Sequence, residues 1–126
     1  MGSGLTGTLG ARAERTAQQF LVRRGLTPVG GNYRSRGGEI DLIMLQGSCL
    51  VFVEVRFRTS ARFSSPEMTI DLRKQRKIIR TAAVFLASTP RFAAHAVRFD
   101  VVAITGDGST GIRWIQDAFR PRDSSL

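Results

Sequence analysis

Two short runs of this chain set ionisable groups at every second position inside otherwise apolar stretches: Glu39-Ile40-Asp41 and Glu54-Val55-Arg56. Between them lies Gly47-Ser48, a good two-residue hairpin loop. With that loop as the turn, Gln46 pairs with Cys49, Leu45 with Leu50, Asp41 with Glu54 and Glu39 with Arg56. Side chains alternate along a strand, so Glu39, Asp41, Phe52, Glu54 and Arg56 are expected on one face. Ile40, Leu42, Met44, Val51, Val53 and Val55 are expected on the other, against the core. Facing carboxylates repel. A shared proton or a bound divalent cation relieves them, and Mg²⁺ takes hard oxygen ligands from one or two carboxylates while binding phosphate oxygens with its remaining positions. Arg56 could hold a substrate phosphate or charge that develops during reaction. The competing reading is a surface Glu39–Arg56 ion pair with Asp41 and Glu54 turned to water.

The elements that must position these groups follow from periodicity. Residues 1–9 are rich in Gly, Ser and Thr and read as a flexible leader. Residues 10–24 form a helix, with Ala13, Ala17, Phe20, Leu21 and Arg24 on one side and Glu14 at its border; Gly25 stops it. Residues 27–34 read as a weak strand broken by Pro28 and Gly30-Gly31, and 35–38 as a turn. Strong strands follow over 39–46 and 49–57. After a polar loop over 58–66, residues 70–88 form a second helix, burying Ile78, Ile79, Ala82, Phe85 and Leu86. Arg73, Arg76, Lys77 and Arg80 fall at i, i+3, i+4 and i+7 on one face of it, and Pro90 ends it. A strand spans 97–104. Residues 112–119 are a strand or short helix, with strand preferred, and 120–126 read as a tail. The order predicts one α/β domain over 10–119, a mixed central sheet flanked by helices.

Composition sets the partner class. The chain has 126 residues, 42% hydrophobic and 23% charged, enough for a packed core. Lys and Arg total 19 against 10 Asp and Glu, for a formal charge of +9, and all but Lys74 and Lys77 of those cations are arginine. Arginine's planar fork matches phosphate oxygens, so a polyanion is expected: nucleic acid ahead of an anionic membrane. An arginine-rich genome with a merely basic surface is the bland alternative. No stretch approaches the ~20 apolar residues of a membrane span. Residues 1–10 lack the pattern of a signal peptide, and the lone Cys49 cannot form an internal disulfide. A cytoplasmic location is expected.

The runs Gly38-Glu39-Ile40-Asp41-Leu42-Ile43, Leu50-Val51-Phe52-Val53-Glu54-Val55-Arg56 and Arg98-Phe99-Asp100-Val101-Val102 resemble the YraN-like family. Ala13-Glu14 and Asn32-Tyr33-Arg34 extend the likeness, which covers about residues 10 to 105. That family comprises small bacterial proteins usually described as endonucleases and is similar to the PD-(D/E)xK superfamily, which includes archaeal Holliday-junction resolvases and restriction enzymes. The resemblance implies a restriction-endonuclease-like fold. It further implies Asp41 and Glu54 as ligands for Mg²⁺ or Mn²⁺, with Glu14 as the helical acid that similar resolvases use near the metal. Arg56 stands at the motif lysine. Glu39 belongs to the family's Gly-Glu-Ile-Asp run but has no fixed role in the superfamily pattern, and is read as a group behind the ligands. Arg56 departs from the pattern, because arginine stays charged and cannot act as a general base.

Two outcomes follow from that departure. One is metal-dependent cleavage of structured or branched DNA, with water activated by the metal. The other is a nucleic-acid-binding protein whose cleavage is weakened or lost; a scaffold that has kept only the fold is a third class. Arg73, Arg76, Lys77 and Arg80 fit contact with a phosphate backbone. Arg34, Arg36, Arg58 and Arg62 flank the site, and Lys74, with Gln75, could reach it. DNA is the expected polymer. A homodimer is plausible by analogy with resolvases, which use two active sites on a four-way junction. His95, Cys49, Trp114, Phe119 and Tyr33 read as structural.

Overall fold

A computed structural model describes residues 9–58, 70–106 and 111–122, with Leu9 and Arg58 described by their backbone alone. Helix α1 (Leu9–Arg23) precedes strands β1 (Thr27–Ser35), β2 (Gly38–Gln46) and β3 (Cys49–Arg58). Helix α2 (Leu72–Ser88), a 3-10 turn (Pro90–Phe92) and strands β4 (Ala96–Thr105) and β5 (Gly111–Phe119) complete the order. The five strands lie side by side in the order β1-β2-β3-β4-β5. Only β3 and β4 run parallel, α2 falling between them in sequence; the other neighbours are antiparallel. This mixed sheet flanked by two helices is an α/β fold consistent with a restriction-endonuclease-like arrangement. Residues 112–119 are a strand, the preferred of the two readings.

The two helices cover opposite faces of the sheet. Ala13, Ala17 and Leu21 of α1 pack with Leu42, Met44, Val51, Val53, Val102 and Ile104. Ile78, Ile79 and Ala82 of α2 pack with Ile43, Leu50, Phe52, Phe99 and Val101. Successive residues of β3 therefore enter alternate cores, and the strand is buried on both sides, as expected beside a parallel partner. Each helix end has a local cause. Leu26 N–H donates to Leu21 O and Gly25 N–H to Val22 O, which closes α1. Asp71 caps α2 by accepting from the Lys74 N–H at 2.8 Å.

Gly47, at φ +59°, supplies the left-handed residue of the β2–β3 hairpin, and the expected register holds from Gln46↔Cys49 to Leu42↔Val53. There the ladder ends. The predicted pairs Asp41–Glu54 and Glu39–Arg56 are not formed. Asp41 instead uses its own carboxylate to accept the Val55 N–H at 2.8 Å. Alternation fails at the same point: Ile40, expected beside Leu42 and Met44, packs with the α2 core. The cause lies in β1, where Asn32, at φ +49°, stands at the position that would pair with Asp41. A left-handed residue in an edge strand shifts the local pleat of its neighbour.

Candidate metal and phosphate site

The end of the β2–β3 ladder makes the site. β2 brings Asp41 and Glu39, β3 brings Glu54 and Arg56, and α1 and α2 add Glu14 and Lys74 from opposite faces. Asp41, bound to a strand N–H, lies in the gap between β2 and β3. Glu54 is 7% exposed, and its Oε2 sits 3.6 Å from Arg56 Nη1 and 3.6 Å from Lys74 Nζ. Glu14 Oε1 accepts from Asn32 Nδ2 at 2.8 Å, and the same amide donates to Glu39 Oε2 at 3.3 Å. Asn32 thus joins the helix acid to the strand acid. Its left-handed backbone, which broke the alternation of β2, is also what serves the site.

The electrostatics single out Asp41. Burial, then the nearby charge of Glu54, push its carboxyl from the usual 3.8 up to about 8. The Val55 N–H pulls the other way, and Glu14 and Glu39 push it further up. At neutral pH Asp41 therefore holds a proton, one of the two remedies available to crowded acids. A divalent cation is the other. The donor set fits one: hard carboxylate oxygens at Asp41 and Glu54, with further negative charge from Glu14 and Glu39 close by.

Among the described residues no group of three or more His, Cys, Asp or Glu is gathered to hold a metal. Asn32 engages Glu14, whose charge nevertheless reaches Asp41. Glu39 and Arg56 do not pair. Glu39 lies 3.5 Å from Arg34 Nε, and Arg56 turns to Glu54. The surface reading fails with them, because Glu54 is buried and Asp41 is hydrogen-bonded across two inner strands.

The basic residues divide into separate groups. Lys74 reaches Glu54. Lys77 and Arg80 pack on the β1–β2 turn: a Cβ on Gly38 would stand 3.3 Å from Lys77 Cβ, and one on Gly37 would stand 3.5 Å from Arg80 Nε. Ser35 Oγ donates to Thr81 Oγ1 and so ties that turn to α2. Arg36 is exposed in the turn, Arg34 is exposed beside Glu39, and Arg73 and Arg76 are exposed on α2. Arg62 lies outside the described residues, and so does the side chain of Arg58.

Sequence reasoning missed Asp100. It is fully buried and accepts from Arg98 Nε and Nη2, Trp114 Nε1 and the Asp117 N–H, at 2.9 to 3.0 Å. The available signal was a single carboxylate inside the apolar strand 97–104. The residues read as structural behave so. Tyr33 meets Phe85 edge-on at 5.2 Å, Phe119 stacks on Phe99 at 5.1 Å, and His95 meets Phe92 at 5.1 Å. Burial raises the pKa of the Cys49 thiol, which disfavours the nucleophilic thiolate.

The likeness of this chain to known sequences is extensive. A sequence model of the Uncharacterised protein family UPF0102 matches residues 13–104. A UPF0102 protein of Xanthomonas campestris pv. campestris (strain B100) is 47% identical over 114 residues, covering 90% of this chain and 93% of the relative. One from Saccharophagus degradans is 51% identical over 110 residues, covering 87% and 91%. A third, from Ectopseudomonas mendocina (strain ymp), is 43% identical over 111 residues, covering 88% and 93%. No described helix is long and apolar enough to cross a membrane.

Proposed function

This chain belongs to the uncharacterised protein family UPF0102, and we propose that it is a divalent-metal-dependent endonuclease that hydrolyses phosphodiester bonds in structured or branched DNA. One observation carries the reading. A half-buried acid, Asp41, stands near a buried acid, Glu54, at the frayed end of a β-hairpin, and desolvation together with the charge of its neighbours keeps it protonated near neutral pH. Such a carboxyl is costly to charge unless a cation arrives. Strongly perturbed groups of this kind cluster at functional sites.

Asp41 and Glu54 would hold Mg²⁺ or Mn²⁺. When bound, the cation supplies Lewis-acid polarisation of the phosphate and a water nucleophile at neutral pH. The rest falls to the chain. Val55 N–H fixes the Asp41 carboxylate, so its oxygens need no reorganisation when charge arrives. Arg56 and Lys74 flank Glu54 and can offset the charge that develops on the phosphate oxygens. Lys74 matters because Arg56 occupies the motif lysine position. A primary amine, delivered from α2 rather than from β3, stands at the same carboxylate.

The test is incubation of the full chain with four-way, flapped, single-stranded and duplex DNA in Mg²⁺, Mn²⁺ or a chelator. Cleavage of a branched substrate with either metal, stopped by the chelator, is expected. No cleavage of any substrate, with salt-sensitive DNA binding intact, would overturn the nuclease and favour the binding protein, the reading that the arginine at position 56 supports.

Lys74 gives a second check. Lys74→Ala is expected to lower kcat about 10²-fold with little change in KM, because offsetting developing charge acts in the transition state. Lys74→Arg is expected to recover part of it. A fall confined to KM would make Lys74 a simple backbone contact.

A further inference from the structure

On the flank of α2 turned away from Glu54 lies a cavity of about 390 Å³. Its lining includes Arg76 and Arg80 from α2 and Arg120 and Arg122 from the segment that follows β5. Leu72, Ile79 and Ala83 form an apolar floor. The size is within the roughly 300–1,000 Å³ of ligand clefts, and four guanidinium groups exclude a purely apolar guest. Arg120 is held by Asp117. Among the described residues no carboxylate lies within ion-pair distance of Arg76, Arg80 or Arg122. Three arginines with no carboxylate partner among the described residues line one hollow, and an anionic occupant would relieve their mutual repulsion.

We infer that this groove is a second nucleic-acid contact, binding the phosphodiester backbone without reading bases. The inference rests on the nucleic-acid reading above and adds a place to it. Guanidinium forks match phosphate oxygens, while the aliphatic floor suits sugar carbons. None of the lining residues is aromatic and none carries a carboxylate or carboxamide over the floor except Gln75, whose Nε2 is engaged by Ile70 O at 2.7 Å. The groove thus has charge for the backbone, no ring on which a base could stack, and no free carboxylate or carboxamide for the edges of adenine or cytosine. Its position sets its role. Lys74 and Arg76 project about 160° apart around the helix axis, so a strand in the groove is not the strand at Glu54. The groove holds a second strand or arm, which is what a branched substrate offers. Arg120 and Arg122 lie where the sequence suggested only a tail.

The experiment is fluorescence anisotropy of the full chain with labelled four-way and duplex DNA, without divalent cation, across a salt series. The variants are Arg122→Ala, which alters no helix or strand, and the pair Arg76→Ala with Arg122→Ala. Each lost phosphate contact lowers the slope of log K against log salt by about 0.9. The double variant is therefore expected to lose about 1.8 of slope and about 10–100-fold of affinity at 0.1 M salt. The loss should be equal for A·T-rich and G·C-rich duplex, and larger for the four-way DNA. Arg→Lys at both positions should keep the slope.

Unchanged affinity and slope in both variants would overturn the groove. If cleavage were meanwhile intact, the nuclease assignment would stand without it. Weakened binding by the variants of a wild-type protein that never cuts would keep the groove and remove the nuclease. A loss seen only with vesicles of anionic phospholipid, and not with DNA, would overturn it in favour of a membrane surface.

Discussion

Asp41→Asn is expected to make the protein more stable at pH 8 and to reduce the proposed metal-dependent cleavage about 10³-fold or more. The two effects share one cause. The Asp41 carboxyl is raised to about 8 in the folded chain, against about 4 when unfolded. Between those values the folded state binds a proton that the unfolded state has shed. Folding stability from this group is therefore greatest below about pH 4, declines as pH rises toward 8, and levels off above it. Asparagine keeps an oxygen to accept the Val55 N–H and never ionises, so its stability should be flat over that window. At pH 8 the gain over the natural chain should be several kcal/mol, on the order of 5, and near pH 4 the two should coincide. Urea unfolding at several pH values measures this. Mn²⁺ should narrow the gap by stabilising only the aspartate form, through its preference for the folded state. Cleavage falls because a neutral amide is a poor partner for a hard divalent cation, which supplies several kcal/mol of transition-state stabilisation. A variant no more stable than the natural chain at pH 8, or one that cuts equally well, defeats the assignment of Asp41.

Asp100→Ala should have the largest effect on the fold. β4 and β5 fall out of register between the pairs Phe99↔Phe119 and Val101↔Ile115, and within that bulge Asp117 adopts φ +56°. A bulged residue loses its ladder partner, and Asp100 supplies the replacement by accepting the Asp117 N–H. The same carboxylate engages Arg98, whose side chain is only 18% exposed, and the indole of Trp114. Alanine leaves a largely buried guanidinium and two further donors without their acceptor. Removing one partner of a buried ion pair costs about 3–5 kcal/mol, which for a chain of this size is a drop of roughly 10–20 °C in Tm. Calorimetry at neutral pH checks it, and a loss under about 1 kcal/mol would mean that water replaces the carboxylate. Arg98→Met in the Asp100→Ala background should recover part of the loss, because the stranded cation goes with its partner.

The legible parts of this molecule were those fixed by local chemistry. Gly47-Ser48 sets the hairpin, and once the turn is placed the pairs from Gln46↔Cys49 to Leu42↔Val53 follow. The apolar stripe through Ala13, Ala17 and Leu21, and that through Ile78, Ile79 and Ala82, gave both helices and their buried sides. What failed was extrapolation past Leu42, because strict alternation assumes an undisturbed neighbour. The disturbance comes from Asn32, nine residues upstream of Asp41 and visible only once β1 and β2 are paired. For the same reason Glu14 and Glu39 were read by type, while the amide that joins them was passed over. Arg120 and Arg122 looked like a tail because nothing in their local pattern says which surface β5 will deliver them to. Asp100 carries no local signal of what it accepts, because Arg98 reaches it along the strand while Trp114 and Asp117 come from β5.

The parallel pairing of β3 with β4 obliges the chain to cross over between them, and α2 belongs to that crossing. Glu54 and Lys74 therefore meet only when the crossing is closed and the helix has docked, a long-range event that comes at high entropic cost. The hairpin without α2 has the acids without the amine, and the face that α2 covers is bare. Assembly of the site is in this way tied to completion of the fold: until α2 docks, Glu54 stands without the Lys74 ammonium that partners it in the finished molecule.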